Sequence, residues 1–167
     1  MKKSFTQSKY KRPSWDEYFL KMVDVIGTRA TCDRGRSGTV IVKDKRILAT
    51  GYVGSPMGLP HCDEVGHDMH TVTDESGVTS EHCLRTAHAE QNAINNAARA
   101  GVALLGATMY SKMVPCYKCA QSIINVGIVR MVSQKDYHAS KRTKEILKKA
   151  KVKLEILNKE TESYDRQ

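Results

Sequence analysis

No apolar run in this chain approaches the length of a membrane span, and the opening Met1-Lys2-Lys3-Ser4 leads into polar residues without the apolar core of a secretory leader. Both lacks disfavour a membrane or secreted protein, and the expected compartment is the reducing cytoplasm. Aromatic residues are scarce, with one Trp and two Phe. The basic residues are therefore not interleaved with the stacking side chains that a single-stranded nucleic-acid surface uses. Acidic residues are the minority, 18 against 27 basic ones, and the net charge of +9 favours an anionic partner. Much of the excess lies in Lys2 to Arg12 and in Lys141 to Lys153, runs that read as solvated faces.

What is present suits one domain with a single core: 167 residues, 40% of them hydrophobic. Five cysteines, two of them spaced Cys-x-x-Cys, argue for metal and against disulfides in a reducing compartment. The stretch from His88 to Cys119 carries the strongest signal. It opens with His88-Ala89-Glu90 and ends with Pro115-Cys116-Tyr117-Lys118-Cys119. Two thiolates at i, i+3 share one face of a helical turn, and with a third, nitrogen ligand they leave one corner of a zinc tetrahedron open for water. Glu90, two residues from His88, stands beside such a metal without ligating it and is placed to move protons. His-x-Glu with Pro-Cys-x-x-Cys is the general signature of zinc-dependent deaminases. A closed structural site would need a fourth protein ligand and has no use for the carboxylate.

Taken in order, residues 1–13 read as a basic arm and 14–157 as the domain, with 158–167 a polar, frayed tail. Ser14 and Glu17 form a capping box opening a helix whose core face is Trp15, Phe19, Met22, Val23 and Ile26, and which fades by Thr31. Thr39 to Val42 and Ile47 to Thr50 predict a hairpin turning through Lys43 to Arg46. Gly51 to Gly58, with three glycines and a proline, predicts a shaped loop over a site. Residues 59–86 show no clean period and predict an irregular insertion ordered by function or metal. They hold Cys62, His67, His82 and Cys83, and with Cys32 folding back they offer three thiols and a histidine for a second, structural zinc. His67 is the first choice for its fourth ligand and His82 the second.

Helices then follow from Ala87 to Gly101, Cys116 to Val126 and Ser140 to Ala150, with strands at Gly106 to Ser111, Ile128 to Val132 and Val152 to Leu157. Alternation of helix and strand predicts parallel pairing in this half, against an antiparallel first pair. The expected architecture is a three-layer α/β/α fold with a mixed five-stranded sheet. Both ligand segments begin helices, so two helix dipoles would favour thiolates and hydroxide at the metal. Arg34 and Arg36 precede the first strand as candidate cations for an anionic ligand, while Tyr137 follows the fourth strand at the end where open sheets bind ligands.

The chain resembles the cytidine deaminase superfamily, and within it the deoxycytidylate (dCMP) deaminases, from Trp15 to Leu157. The resemblance rests on Thr31-Cys32-Asp33-Arg34, Gly51-Tyr52-x-Gly54-x-Pro56-x-Gly58, the zinc signature, Ala97-Ala98-Arg99, Ile124 to Ile128 and Asp136-Tyr137-His138. It implies a catalytic zinc on His88, Cys116 and Cys119, Glu90 as proton shuttle, and substrate contacts from Arg34, Arg36, Tyr137 and Ala89. It also implies a homo-oligomer, commonly a hexamer, and dCTP or dTTP as effectors, with Tyr52, Gly54 and Arg99 at the effector or interface positions. Members with a second zinc hold it through cysteines matching Cys32 and Cys62. The chain departs from the pattern at Val53, where the family usually has Asn against the sugar hydroxyl; Val neither donates nor accepts, so sugar reading does not carry over to that position. The competing readings are a deaminase acting on tRNA or single-stranded DNA, and a non-catalytic zinc-organised binding module, which Glu90 disfavours.

Overall fold

The computed structural model describes residues 10–73, 79–158 and 160–162. Most of the expected arm, residues 1–9, lies outside that range, as do 159 and 163–167 of the tail. The first helix, α1 (Trp15–Gly27), opens on the expected capping box: the Glu17 amide donates to Ser14 Oγ at 3.2 Å and the Ser14 amide to Glu17 Oε2 at 2.7 Å. Strands β1 (Gly38–Lys43) and β2 (Arg46–Tyr52) form the predicted hairpin. Its turn is tighter than the pattern suggests, because Asp44 and Lys45 both take positive φ (50° and 63°) and so complete a two-residue connection without glycine.

After α2 (Cys62–Val65), strands β3 (Met69–Thr73) and β4 (Thr79–Cys83) pair antiparallel as a separate two-stranded sheet. The expectation of an irregular insertion over 59–86 is corrected here. β3 and β4 are polar and their residues mostly exposed, so they carry no buried apolar alternation, although the β-branched run Thr71-Val72-Thr73 is a strand signal. Then come α3 (Ala89–Arg99), β5 (Thr108–Met113), α4 (Tyr117–Asn125), β6 (Arg130–Tyr137), α5 (Lys141–Lys149), β7 (Lys153–Ile156) and β8 (Thr161–Glu162). The main sheet runs β2-β1-β5-β6-β7, with β5, β6 and β7 parallel and β1 antiparallel to both neighbours. Two-residue β8 adds parallel to Asp136 and Tyr137 at the end of β6, inside what composition predicts as a frayed tail. β6 outruns its apolar stretch for the same reason: Lys135 pairs with Met113, and Asp136 and Tyr137 pair with β8.

Period-two alternation divides the strands between two cores. Val40, Val42, Tyr110 and Val132 face Phe19, Leu20 and Val23 of α1. Ile41, Met109 and Met131 face the other way, against Ala93 and Ala97 of α3, Ala120 and Ile123 of α4, and Leu147 of α5. The result is the expected three layers, with one helix on one side and three on the other. Among the described residues no helix is long and apolar enough to cross a membrane.

One polar knot closes the sheet end away from the cleft described below. Arg130 at the start of β6 reaches Asp16 on α1 (Nη2 to Oδ2, 2.7 Å) and Glu155 on β7, and the Tyr110 hydroxyl also donates to Asp16 at 2.8 Å. Arg130 holds Asp16 below the usual carboxylate range, and Lys153 and then Arg130 do the same for Glu155. Since both native pKa values are depressed, this stabilisation is present above about pH 4 and disappears as pH falls through the lowered native values. Arg130→Met should cost about 1–3 kcal/mol in urea melts at neutral pH, and the gap to the parent should close in acid. An unchanged midpoint at neutral pH would show the knot to be ornamental.

Candidate active site

The two helices that carry the expected metal ligands begin at them. His88 is the N-cap of α3 and Cys116 the N-cap of α4, both in extended backbone conformation. The His88 amide is satisfied by Gln91 Oε1 at 3.1 Å, which leaves the imidazole free to turn toward α4. His88 Nδ1 lies 3.5 Å from Cys116 Sγ and 3.4 Å from Cys119 Sγ, and the three donor atoms lie within 4.8 Å of one another. Two helix N-termini thus converge on one point, where their dipoles favour negative charge.

Glu90, in the first turn of α3, is 7% exposed. It is hydrogen-bonded to Cys119 and close enough to His88 for that ring's charge to act on it, yet it is not among the converging donor atoms. Burial pushes its carboxyl above the usual range, which favours a group that both accepts and delivers a proton. The hydrogen bond with the Cys119 thiol draws Cys116 down to about 4, against burial and with help from His88. Cys119 is pushed up by that same bond and by burial. His88 rises to about 9, chiefly through its bond to Cys116. A bound dication would favour ionisation of both thiols. The donor set, two sulfurs and one imidazole nitrogen, fits zinc, with no fourth protein donor converging on it among the described residues.

The cluster opens into a cleft of about 610 Å³ at the C-terminal ends of β5 and β6, where Met113 to Cys116 and Tyr137 lead out of the parallel strands. Ala89 lines it, as do Arg34, Tyr137, Val53 and His138. Burial, and then the charge on Cys116, push the Tyr137 phenol above its ordinary range. Among the described residues Arg34 is the only Lys or Arg lining the cleft, and its Nη2 donates to the Glu81 carbonyl at 3.2 Å. Arg36 is not brought into the cleft: Gly35 and Ser37 on either side line it, and Arg36 itself is exposed and outside the lining.

Of the glycine-rich loop, Val53 alone lines the cleft, and both its backbone groups are spent, the amide on Ser37 and the carbonyl on Thr31, each at 3.1 Å. Tyr52, Gly54 and Arg99 lie outside the cleft. The Tyr52 and Gly54 carbonyls accept from Asn92, Gly54 bridges Ala87, and Arg99 reaches Met57. The expectation of a loop over the site gives way to a different wall, the β3–β4 hairpin, which contributes Met69 and residues 79–83. His138, which the Asp136-Tyr137-His138 motif contains without assigning it a role, also lines the cleft.

A second convergence sits at the base of that hairpin. Donor atoms of Cys32, Cys62, His67 and Cys83 lie within 4.8 Å of one another, with Cys62 Sγ 3.6 Å from Cys83 Sγ and Cys32 Sγ 3.7 Å from His67 Nδ1. His82 is elsewhere, on β4, with Nε2 2.8 Å from Ser80 Oγ. Burial drives Cys62 up to about 12; burial also opposes ionisation of Cys83, but the backbone amides of Asp68 and Arg85, with His67 and Cys62, hold it at about 7.

Residues 13–135 match the model of the cytidine and deoxycytidylate deaminase zinc-binding region. ComE operon protein 2 of Bacillus subtilis is 38% identical over 86% of this chain and 71% of its own length. The deoxycytidylate deaminase of Mycobacterium phage D29 is 39% identical over 75% of this chain and 98% of its own length. The deoxycytidylate deaminase of Schizosaccharomyces pombe is 36% identical over 86% of this chain, which spans only 44% of that longer protein. The dCMP deaminase of cyanophage S-TIM5, solved in complex with dCMP and dUMP, shares the fold with a TM-score of 0.69 at 24% identity, over 88% of this chain and 99% of that one. With most of its length matched by the family model and by a full-length relative, the chain belongs to the cytidine and deoxycytidylate deaminase zinc-binding family.

Proposed function

We propose that this chain is a cytoplasmic zinc-dependent dCMP deaminase, converting dCMP and water to dUMP and ammonia and so feeding dTMP synthesis. The observation that carries the reading is the buried Glu90 carboxyl, set against a three-donor cluster at the floor of an open cleft. His88, Cys116 and Cys119 would hold the zinc, whose chemistry is to acidify a water and polarise it for attack. Glu90 would take a proton from the attacking water and deliver it to N3 of the pyrimidine as the water oxygen adds to C4. The hydroxyl proton of the C4 adduct then passes through the same carboxyl to the amino nitrogen, the C4–N bond breaks, and ammonia leaves. A carboxyl whose pKa is raised by burial serves both directions of this transfer.

The substrate assignment draws on the names of the yeast and phage relatives and on the cleft itself. Arg34 is the candidate for the 5′-phosphate, being the sole Lys or Arg of the lining among the described residues, with guanidinium donors beyond the one given to Glu81. Ala89 and Tyr137 flank the base. Arg34→Ala should raise KM for dCMP roughly ten- to hundredfold, the worth of a charge-assisted contact, and leave deoxycytidine turnover nearly as it was. Equal losses on both compounds would assign Arg34 to holding the hairpin instead.

The second cluster would hold a structural zinc. Its four protein donors make a closed set, in contrast to the three at Glu90. Assembly as a homo-oligomer, a hexamer by family habit, and response to dCTP or dTTP through Tyr52, Gly54 and Arg99 belong to the same reading. Ammonia release measured across cytidine, deoxycytidine, CMP, dCMP, dCTP and 5-methyl-dCMP tests the assignment. The expected order places dCMP first. Turnover confined to an oligonucleotide, with strongly salt-dependent binding, would transfer the chain to the polynucleotide deaminases.

A further inference from the structure

The β3–β4 hairpin forms the outer wall of the cleft, yet it pairs only with itself and takes no place in the main sheet. What fastens it to the body lies at its base. Arg34 reaches the Glu81 carbonyl, and the four-donor cluster joins three segments: Cys32 ahead of the 3₁₀ turn Asp33–Gly35, Cys62 and His67 around α2, and Cys83 at the end of β4.

Within the cluster, His67 is the donor whose orientation is least fixed by the chain, since it stands in a loop with its side chain 30% exposed. Asp33 Oδ1 lies 2.9 Å from His67 Nε2. A carboxylate only accepts, so Nε2 must carry the hydrogen, and in the neutral ring Nδ1 is then the bare nitrogen. Nδ1 is the atom that faces Cys32 Sγ, and His67 also contacts Cys83. A carboxylate that fixes the tautomer and plane of a ligating imidazole is a recurrent device in metal sites.

We propose that Asp33 is the positioning residue of the second metal site: through His67 it closes the four-donor set, and through Cys83 that set holds the hairpin as the cleft wall, so occupancy of this site governs substrate affinity and leaves the chemical step alone. The affinity clause rests on the reading of the cleft as a dCMP site; the metal clause does not.

Asp33→Ala and Asp33→Asn, made in the full chain and purified with zinc, test both. The side chain is 69% exposed, so neither change threatens the core. In a chelator competition read colorimetrically, the parent should hold two zinc ions per chain. Asp33→Ala should release one of them at roughly ten- to hundredfold lower chelator concentration, with the other unmoved. Asp33→Asn should fall between, because its amide oxygen still accepts from Nε2. In the cobalt-substituted protein, the absorption of the three-thiolate site should weaken in Asp33→Ala while that of the two-thiolate site persists. KM for dCMP should rise several-fold in Asp33→Ala at a kcat within about a factor of two. One zinc per chain in the parent, identical release curves, or loss of the second zinc with an unchanged KM would each overturn the proposal. The metal readouts need no turnover, so failure of the dCMP assignment would be visible separately.

Discussion

Glu90→Gln is expected to lower kcat for dCMP by about three orders of magnitude or more, while zinc content and thermal midpoint stay with the parent. The substitution keeps the shape of the side chain, but an amide neither takes a proton from water nor returns one. Because Glu90 is outside the set of converging donors, its loss should not release the metal. The magnitude combines a proton-transfer residue with the charge it presents to the developing adduct, so it exceeds what either would give alone. Steady-state rates beside metal analysis decide the matter. A variant with more than about a tenth of parental turnover would remove Glu90 from the mechanism.

The second large effect is expected at a residue with no chemistry of its own. Gly51, near the end of β2, lies directly beneath the first turns of α3. A Cβ there would stand 2.3 Å from the Ala89 carbonyl oxygen and from the Ala93 amide nitrogen, and 2.9 Å from Ala93 Cα. All three obstacles are backbone, so no rotamer change relieves them and the helix itself must shift. That helix begins at His88 and carries Glu90. Gly51→Ala should therefore cost about 3 kcal/mol, the upper end for overpacking. It should also lose roughly a hundredfold in kcat at temperatures where the protein is still folded, since displacement of catalytic groups by about an ångström is enough for that. Urea melts and rates on the folded fraction measure the two separately. Parental stability and rate together would mean that α3 has room the backbone distances deny.

How far the sequence could be read depended on whether the deciding interaction was local. The Ser14–Glu17 box, the apolar face of α1, and the glycines that end α3 and α4, Gly101 and Gly127 with φ of 66° and 78°, are short-range features with fixed spacing. The same holds for His88-x-Glu90 and Cys116-x-x-Cys119, whose spacing alone places them on helix starts. The β3–β4 hairpin escaped because it buries almost nothing, and burial is what leaves a periodic trace. The Arg130 knot escaped because its partner Asp16 is 114 residues away and each residue alone reads as a surface charge. Arg36 illustrates the opposite error. Charge and position suggested a phosphate contact, but the backbone leaves the 3₁₀ turn Asp33–Gly35 at Arg36, and the cleft lining takes Arg34, Gly35 and Ser37 without it. The gathering of Cys32, Cys62, His67 and Cys83 had a compositional trace, in that three thiols remain once the Cys-x-x-Cys pair is assigned. The choice between His67 and His82 needed coordinates: one ring stands beside the sulfurs and the other on a strand beside Ser80.

The most direct measurement is mass spectrometry of dCMP incubated with the zinc-loaded protein in ¹⁸O-labelled water. The account predicts dUMP carrying a single ¹⁸O at C4, ammonia in equal amount, and both products formed by Glu90→Gln at about a thousandth of the parental rate or less. Unchanged dCMP from folded, zinc-replete protein, or dUMP without the label, would contradict it.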